Sequence, residues 1–439
     1  MKKYEKYKDS GIEWIGEIPI SWEIASLKYL LNSPLQYGAN ESAELDDKTL
    51  PRYIRITDFG DDGKLKDETF KSLPLDKAEG YYLKNNDILF ARSGATVGKT
   101  FQFKNYNGVA CFAGYLIKAS PNKNKVSSDF LYYFTKSNSY TSWKDSIFNQ
   151  ATIQNIGADK YKELKVVLPS LSEQTAIASF LDHKTTQIDS LIEKKEQLIE
   201  KLKLQRQAII NEAVTKGLNP NVPMKDSGIE WLGKIPEHWE TKKLKRVVTC
   251  NDETLSENID DEQVINYIEI GNVSLEKGIE QYETLIFSEA PSRARRIVRK
   301  NDVIISTVRT YLKAIAQIDV IHDGFIASTG FAVLRPKKVL SSFLGAVVCC
   351  ENFIDEVISR SVGVSYPAIN ASDLINIEIP FPSQKEQDDI ALFIEENTKH
   401  IDIAIEKIIE SIEKLKLYRQ SLISEAVTGK IDVRGWSKP

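Results

Sequence analysis

Residues 172–215 read SEQTAIASFLDHKTTQIDSLIEKKEQLIEKLKLQRQAIINEAVT, and residues 383–428 read SQKEQDDIALFIEENTKHIDIAIEKIIESIEKLKLYRQSLISEAVT. They are two copies of one stretch. At an offset of 213, Glu173-Gln174 meets Glu386-Gln387, Phe180 meets Phe393 and Asp189 meets Asp402. Arg206-Gln207 meets Arg419-Gln420, and Ala213-Val214-Thr215 meets Ala426-Val427-Thr428. Neither copy holds Pro or Gly, and both are dense in Glu, Lys, Leu, Ile and Gln, residues that enter a helix at little loss of freedom. In the second copy Ile401, Ile405, Ile408, Ile412, Leu415, Leu422 and Ala426 step by four and three, a heptad seam. The first copy carries Ile177, Leu181, Ile188, Leu191, Leu198, Leu202 and Ile209, interrupted by Lys184, Lys195 and Gln205. The spacing predicts two helices of roughly 60–65 Å. A helix with one apolar stripe is marginal alone in water, so each copy is expected to pack on the other.

The repeat extends outward from these helices. Lys8-Asp9-Ser10-Gly11-Ile12-Glu13-Trp14 returns as Lys225-Asp226-Ser227-Gly228-Ile229-Glu230-Trp231, and Ile18-Pro19 and Trp22-Glu23 return as Ile235-Pro236 and Trp239-Glu240. Asn86-Asp87-Ile88 pairs with Asn301-Asp302-Val303, and Leu168-Pro169-Ser170 with Phe381-Pro382-Ser383. Ends match closely and middles poorly, which is a shared frame carrying a different payload in each half. Short strand patterns fall at residues 53–57, 87–91, 164–168, 303–306, 332–334 and 377–379, with helical pieces at 128–137 and 342–360. Gly217 with Pro220 and Pro223 stops the first helix, and Gly429 the second. The fold class is α+β: two pseudo-repeated globular domains separated by two long helices that form an antiparallel coiled coil. The expected boundaries are 1–170, a globular domain; 171–216, a helix; 217–381, a linker and second globular domain; 382–428, a helix; and 429–439, a tail.

Composition narrows the class. The chain has 439 residues and 42% hydrophobic content, enough for more than one core. MKKYEKYKDS carries no apolar run, and no stretch approaches the ~18 apolar residues of a membrane span, so no signal peptide or membrane is expected and a cytoplasmic location is. Cys111, Cys250, Cys349 and Cys350 lack C-x-x-C spacing and suit reduced, buried thiols. A net charge of −4 argues against a wholly basic nucleic-acid binder, although the placement of charge matters more than its sum.

Residues 93–100, SGATVGKT, look like a phosphate loop but have three residues between the glycines where four are required. No catalytic triad or metal cluster emerges, so no catalytic or metal residue is assigned. What remains is placed polarity. The turn after the Asp87 strand holds Arg92, Ser93, Thr96 and Lys99, and the turn after the Asp302 strand holds Thr307, Arg309, Thr310, Tyr311 and Lys313. Arg293, Arg295 and Arg296 form a basic run upstream. A second matched pair precedes the helices: Gln150, Thr152 and Gln154 in one half, Ser365 and Tyr366 in the other. Guanidinium forks suit guanine edges and phosphates, and hydroxyls suit phosphates. A solvated turn is the plain alternative at every one of these positions.

Together these features resemble the specificity subunit of Type I restriction–modification enzymes, over nearly the whole chain. The resemblance rests on the Gly-Ile-Glu-Trp-x-Gly-x-Ile-Pro-x-x-Trp openings at Gly11 and Gly228, the Asn-Asp strands, the Pro-Ser-x-x-Glu-Gln helix starts and the Glu-Ala-Val-Thr helix ends. It implies two target recognition domains, each for one half of a bipartite double-stranded DNA target, on a helical ruler. It implies no catalysis and no cofactor in this chain; two methylation subunits with S-adenosylmethionine and restriction/translocation subunits with ATP and Mg are the expected partners. Ile192, Ile199, Ile403 and Ile409 fall outside the helix seam and suit partner docking or further helix packing. A duplicated adaptor that binds protein or glycan rather than DNA is the competing possibility.

Overall fold

A computed structural model describes residues 2–60, 63–94, 96–148, 155–256 and 259–437. Two α-helices dominate, Leu171–Lys216 and Gln384–Val427. The chain divides into two compact units: Met1–Lys195 with Glu410–Pro439, and Glu196–Ile409. Each unit therefore holds one globular domain, the start of the helix that follows it, and the end of the other helix. No helix among the described residues is long and apolar enough to cross a membrane.

In the first unit, a hairpin of Tyr7–Asp9 and Glu17–Pro19 leads to Glu23–Ser26, which pairs antiparallel with Lys165–Leu168 just before the long helix. The central antiparallel sheet runs in the order Gln36–Tyr37, Leu116–Ala119, Asp87–Ala91, Thr100–Phe103. Arg52–Ile54 lies parallel to Ala110–Phe112 beside it. The second unit repeats the hairpin with Met224–Asp226 and Lys234–Pro236, and the closing pair with Glu240–Lys243 and Glu378–Phe381. Its central sheet runs Val248–Cys250, Phe331–Pro336, Val303–Ser306, Ile315–Gln317. A second four-stranded sheet, Glu283–Ile286, Val264–Ile268, Ile326–Ser328, Ala294–Ile297, replaces the shorter parallel pair. This difference falls in the poorly matching middle of the repeat.

The residues that match between the halves make matching contacts. Trp22 and Trp239 are wholly buried, as are Ile18 and Ile235. The buried amide of Gln174 accepts from Ser127 N–H at 2.7 Å and donates to the Pro169 carbonyl at 3.0 Å. Gln387 does the same with Leu340 and Pro382, at 2.9 and 3.0 Å. Beside them, Tyr4 donates to Glu173 at 2.6 Å, while Glu386 accepts from Trp239 at 3.1 Å and from the Ser383 hydroxyl at 2.7 Å, with His238 at 2.7 Å. Burial raises the Glu386 pKa, but hydrogen bonds from His238, Ser383 and Trp239 outweigh it and hold the carboxyl at about 2.

The helices pair antiparallel within each unit. Arg419 reaches Asp189 at 2.8 Å in the first, and Arg206 reaches Asp402 at 2.9 Å in the second. Ile188 shares a core with Leu422 and Ala426, and Ile210 and Ala213 share one with Ile390 and Ile394. Leu191 and Leu198 are exposed, whereas Ile192 and Ile199 are half-buried. The first helix thus turns the Ile192 and Ile199 side inward, with Lys195 half-buried on the same face. The stretch 342–360 is two helices, Ser341–Val348 and Glu351–Ser359. The long helix supplies the missing partners at the break: Gln207 donates to the Cys349 carbonyl at 2.8 Å, and Asn211 accepts from Glu351 N–H at 2.9 Å. The first unit breaks between Ser128–Phe134 and Asn138–Phe148 and closes the gap with Gln420 to the Lys136 carbonyl at 2.7 Å and Asn138 N–H to Ser424 at 2.9 Å.

Candidate nucleic-acid interface

Both candidate turns leave the central strand of their sheet at the same place. Asn86 and Asn301 enter their strands at φ 75° and 71°. Asp87 and Asp302 are buried and accept from the backbone three residues upstream, Lys84 and Arg299, at 2.8 Å. The loops that follow, 92–94 with 96–99 and 307–314, match in where their chains enter the left-handed region. Each turns through the left-handed region twice, at Gly94 and Gly98 with φ 80° and 82°, and at Arg309 and Lys313 with φ 51° and 52°. Their backbone hydrogen bonds keep the register set by the two Asn-Asp strands. Arg92 N–H donates to the Tyr115 carbonyl at 3.0 Å, and Thr307 N–H donates to the Gly330 carbonyl at 2.7 Å. Thr307 is therefore the counterpart of Arg92, and Arg309 stands where the first half has Gly94. An arginine and a lysine in a conformation that glycine adopts freely carry backbone strain, and such strain gathers where the side chain is needed.

In the first unit the Arg92 guanidinium lies 4.9 Å from the centre of the Tyr37 ring, and one of its amino groups reaches the Gly114 carbonyl at 3.5 Å. Its buried Nε has no hydrogen-bond partner among the described residues. Tyr37 is fixed by the Ala158 N–H, which donates to its hydroxyl at 2.9 Å. Arg92 also receives Ile156 N–H on its carbonyl at 2.8 Å, and Ser93 bridges to Asn155. The loop and the segment just before the long helix thus meet at Ile156 and Asn155. Thr96 is exposed, and Ser93 and Lys99 are half-buried. Gln150, Thr152 and Gln154 lie outside the described residues.

The second unit makes the same junction. Ile369 N–H donates to the Thr307 carbonyl at 2.9 Å and Arg309 N–H to the Pro367 carbonyl at 2.7 Å. The exposed Arg309 guanidinium sits 4.7 Å from the centre of the Tyr366 ring. Ser365 and Tyr311 face solvent. Other expected ligands have internal duties. Thr307 donates its hydroxyl to Gly330, Thr310 shares a hydrogen bond with Ser361 at 2.9 Å, and Lys313 pairs with Glu351. Arg293 pairs with Glu269, and Arg295 stacks on Phe287 at 4.9 Å. Arg296 has a buried Nε without a partner among the described residues. Thr329 N–H donates to the Arg293 carbonyl at 2.8 Å, so the basic strand adjoins the Gly330 turn and, through it, Thr307. Tyr37 and Tyr115 were not selected from sequence. No local motif marks them, because folding alone brings Tyr37 under Arg92.

A guanidinium backed by an aromatic ring keeps its donors directed outward. Among the described residues no cluster of His, Cys, Asp or Glu is arranged to hold a metal ion. Burial raises the thiol pKa values of Cys111 and Cys349 to about 12, so both remain protonated near neutrality. The docking candidates divide: Ile403 and Ile409 are exposed, while Ile192 packs half-buried against the first core and Ile199 is half-buried.

Comparison with known proteins agrees with this duplicated architecture. The Type I restriction modification DNA specificity domain model matches residues 19–202 and again 236–414. The chain is 26% identical over 361 residues to the Type I restriction enzyme MjaVIII specificity subunit of Methanocaldococcus jannaschii, covering 80% of each. Its fold resembles a chain from a solved type I R-M system, with TM-score 0.72 and 16% identity, over 94% of this chain and 99% of that one. It also resembles the HsdS subunit from Thermoanaerobacter tengcongensis, with TM-score 0.54 and 16% identity, over 94% and 98%. With both halves matching over most of its length, the chain belongs to the family of Type I restriction modification DNA specificity domains.

Proposed function

We propose that this chain is the non-catalytic DNA-recognition subunit of a Type I restriction–modification complex, each globular domain reading one half of a bipartite double-stranded target. The observation that carries this is the duplicated turn: in each unit one arginine, Arg92 or Arg309, lies on a tyrosine ring with no carboxylate partner among the described residues. Ser93, Thr96 and Lys99 belong to the first reading edge, with Tyr311, Ser365 and Tyr366 on the second. The poorly matching middles imply two different half-sites. The long helices set the spacing between half-sites and dock two methylation subunits, for which exposed Ile403 and Ile409 are the leading contacts. S-adenosylmethionine belongs to those subunits, and ATP with Mg to restriction/translocation subunits. With a net charge of −4, the chain depends on its partners for much of the phosphate neutralisation.

The test is a methylome. Coexpression with the methylation subunit in a methylation-free host is expected to place N6-methyladenine in one split motif, two short half-sites around a fixed gap. Exchanging the first domain for that of another family member is expected to change one half-site only. A soluble complex that methylates no split motif overturns the reading and favours the adaptor.

A further inference from the structure

The loop before the second long helix presents an exposed apolar edge. Val364 is fully exposed, Val362 is 81% exposed and Tyr366 65%. The loop that carries them is built firmly. Val362 and Ala368 exchange both backbone hydrogen bonds, at 2.8 and 3.0 Å, and Pro367 accepts from Arg309. Gly363 turns the chain at φ 117°, and a Cβ there would come 3.1 Å from the Tyr366 carbonyl. Exposed valines held in place beside an outward arginine mark a contact surface.

Charge decides the occupant. The Arg309 guanidinium beside this edge has no carboxylate partner among the described residues, which suits a polyanion better than an apolar protein face. In the major groove of B-DNA, the apolar group on the base edges is the thymine 5-methyl. We propose that Val362 and Val364 read a thymine methyl in the second half-site, next to the base or phosphate taken by Arg309. The inference rests on the DNA-reading role above and adds a base to it. The first half has Asn149 and Ala151 at the matching positions, so its half-site lacks this valine pair and serves as the internal control.

The experiment uses the complete chain with its methylation subunits and duplexes carrying the split motif found by the methylome. Deoxyuridine, which lacks only the methyl, replaces thymine at each position of the second half-site in turn, on either strand. One position is expected to lose about fourfold in affinity, the scale of one buried methyl group. In the variant Val362→Ser/Val364→Ser, whose changes are on exposed side chains, thymine and uracil at that position are expected to bind equally. The inference is overturned if the second half-site contains no A·T pair, if deoxyuridine is neutral at every position, or if the loss persists undiminished in the double variant. Each of those results leaves the split motif, and hence the DNA-recognition role, standing. Absence of any motif overturns both.

Discussion

Arg309 separates the needs of the fold from those of recognition. Its left-handed backbone is what Gly94 adopts without strain in the first half. Replacement by glycine relieves ~1 kcal/mol of backbone strain and removes an exposed cation–π contact of ~0.5–1 kcal/mol. Arg309→Gly is therefore expected to leave folding stability within about 0.5 kcal/mol by denaturant titration, while weakening binding to the second half-site roughly tenfold or more. A large loss of stability would show that Arg309 holds the loop rather than the DNA. Glu386 makes the complementary case. Its folded pKa of about 2 lies below the ordinary 4.5. The contribution of its carboxylate is thus present above about pH 4.5 and disappears as the pH falls toward 2. Glu386→Gln is expected to lower stability at pH 7 and to flatten the pH dependence in that acid window, read by thermal unfolding across pH.

At the scale of elements, each long helix ends on a glycine that touches the opening hairpin and tryptophan of the domain in its own unit. A Cβ on Gly429 would lie 2.3 Å from Pro19 and 3.2 Å from Trp22, and one on Gly217 would lie 3.0 Å from Trp239. Both glycines have φ near 72°. Gly429→Ala is expected to destabilise its unit by roughly 2–3 kcal/mol, through strain and overpacking together, and Gly217→Ala by less. Equal effects would mean that backbone conformation alone sets the penalty. The same logic explains the Glu-Gln pair at each helix start. Gln174 and Gln387 satisfy buried backbone groups on a loop and on their own helix entry, which Glu, an acceptor only when ionised, would leave half unpaired.

For the whole molecule, the docking role proposed for the second long helix can be tested directly. Ile403 and Ile409 are exposed apolar side chains on a helix whose inner face is already packed. Ile403→Asp/Ile409→Asp is expected to reduce recovery of the methylation subunit at least tenfold in copurification, with the thermal midpoint of the isolated chain changed by no more than a few degrees. Unchanged assembly would move the docking surface to the other exposed apolar positions, among them Leu204 and its matched partner Leu417.

The repeat, the helix spans to within about two residues, and the stop signals were legible in the chain because they follow from local chemistry: periodic apolar residues, glycine at a helix end, and recurrence at one offset. The ion pairs were implicit there as well, since Asp189 matches Asp402 and Arg206 matches Arg419, so antiparallel packing pairs each acid with the other copy's base. Tertiary structure decided what local chemistry leaves open. It anchored Arg92 and Thr307, already in register from the two Asn-Asp strands, through backbone hydrogen bonds to a distant turn. It broke the 342–360 helix, because side chains of the long helix offered substitute partners at the gap. It placed Tyr37 beneath Arg92 and engaged Lys313 and Arg293 in ion pairs. Local pattern specifies what an element is, whereas which polar side chains remain free to meet a ligand depends on every neighbour the fold brings to them.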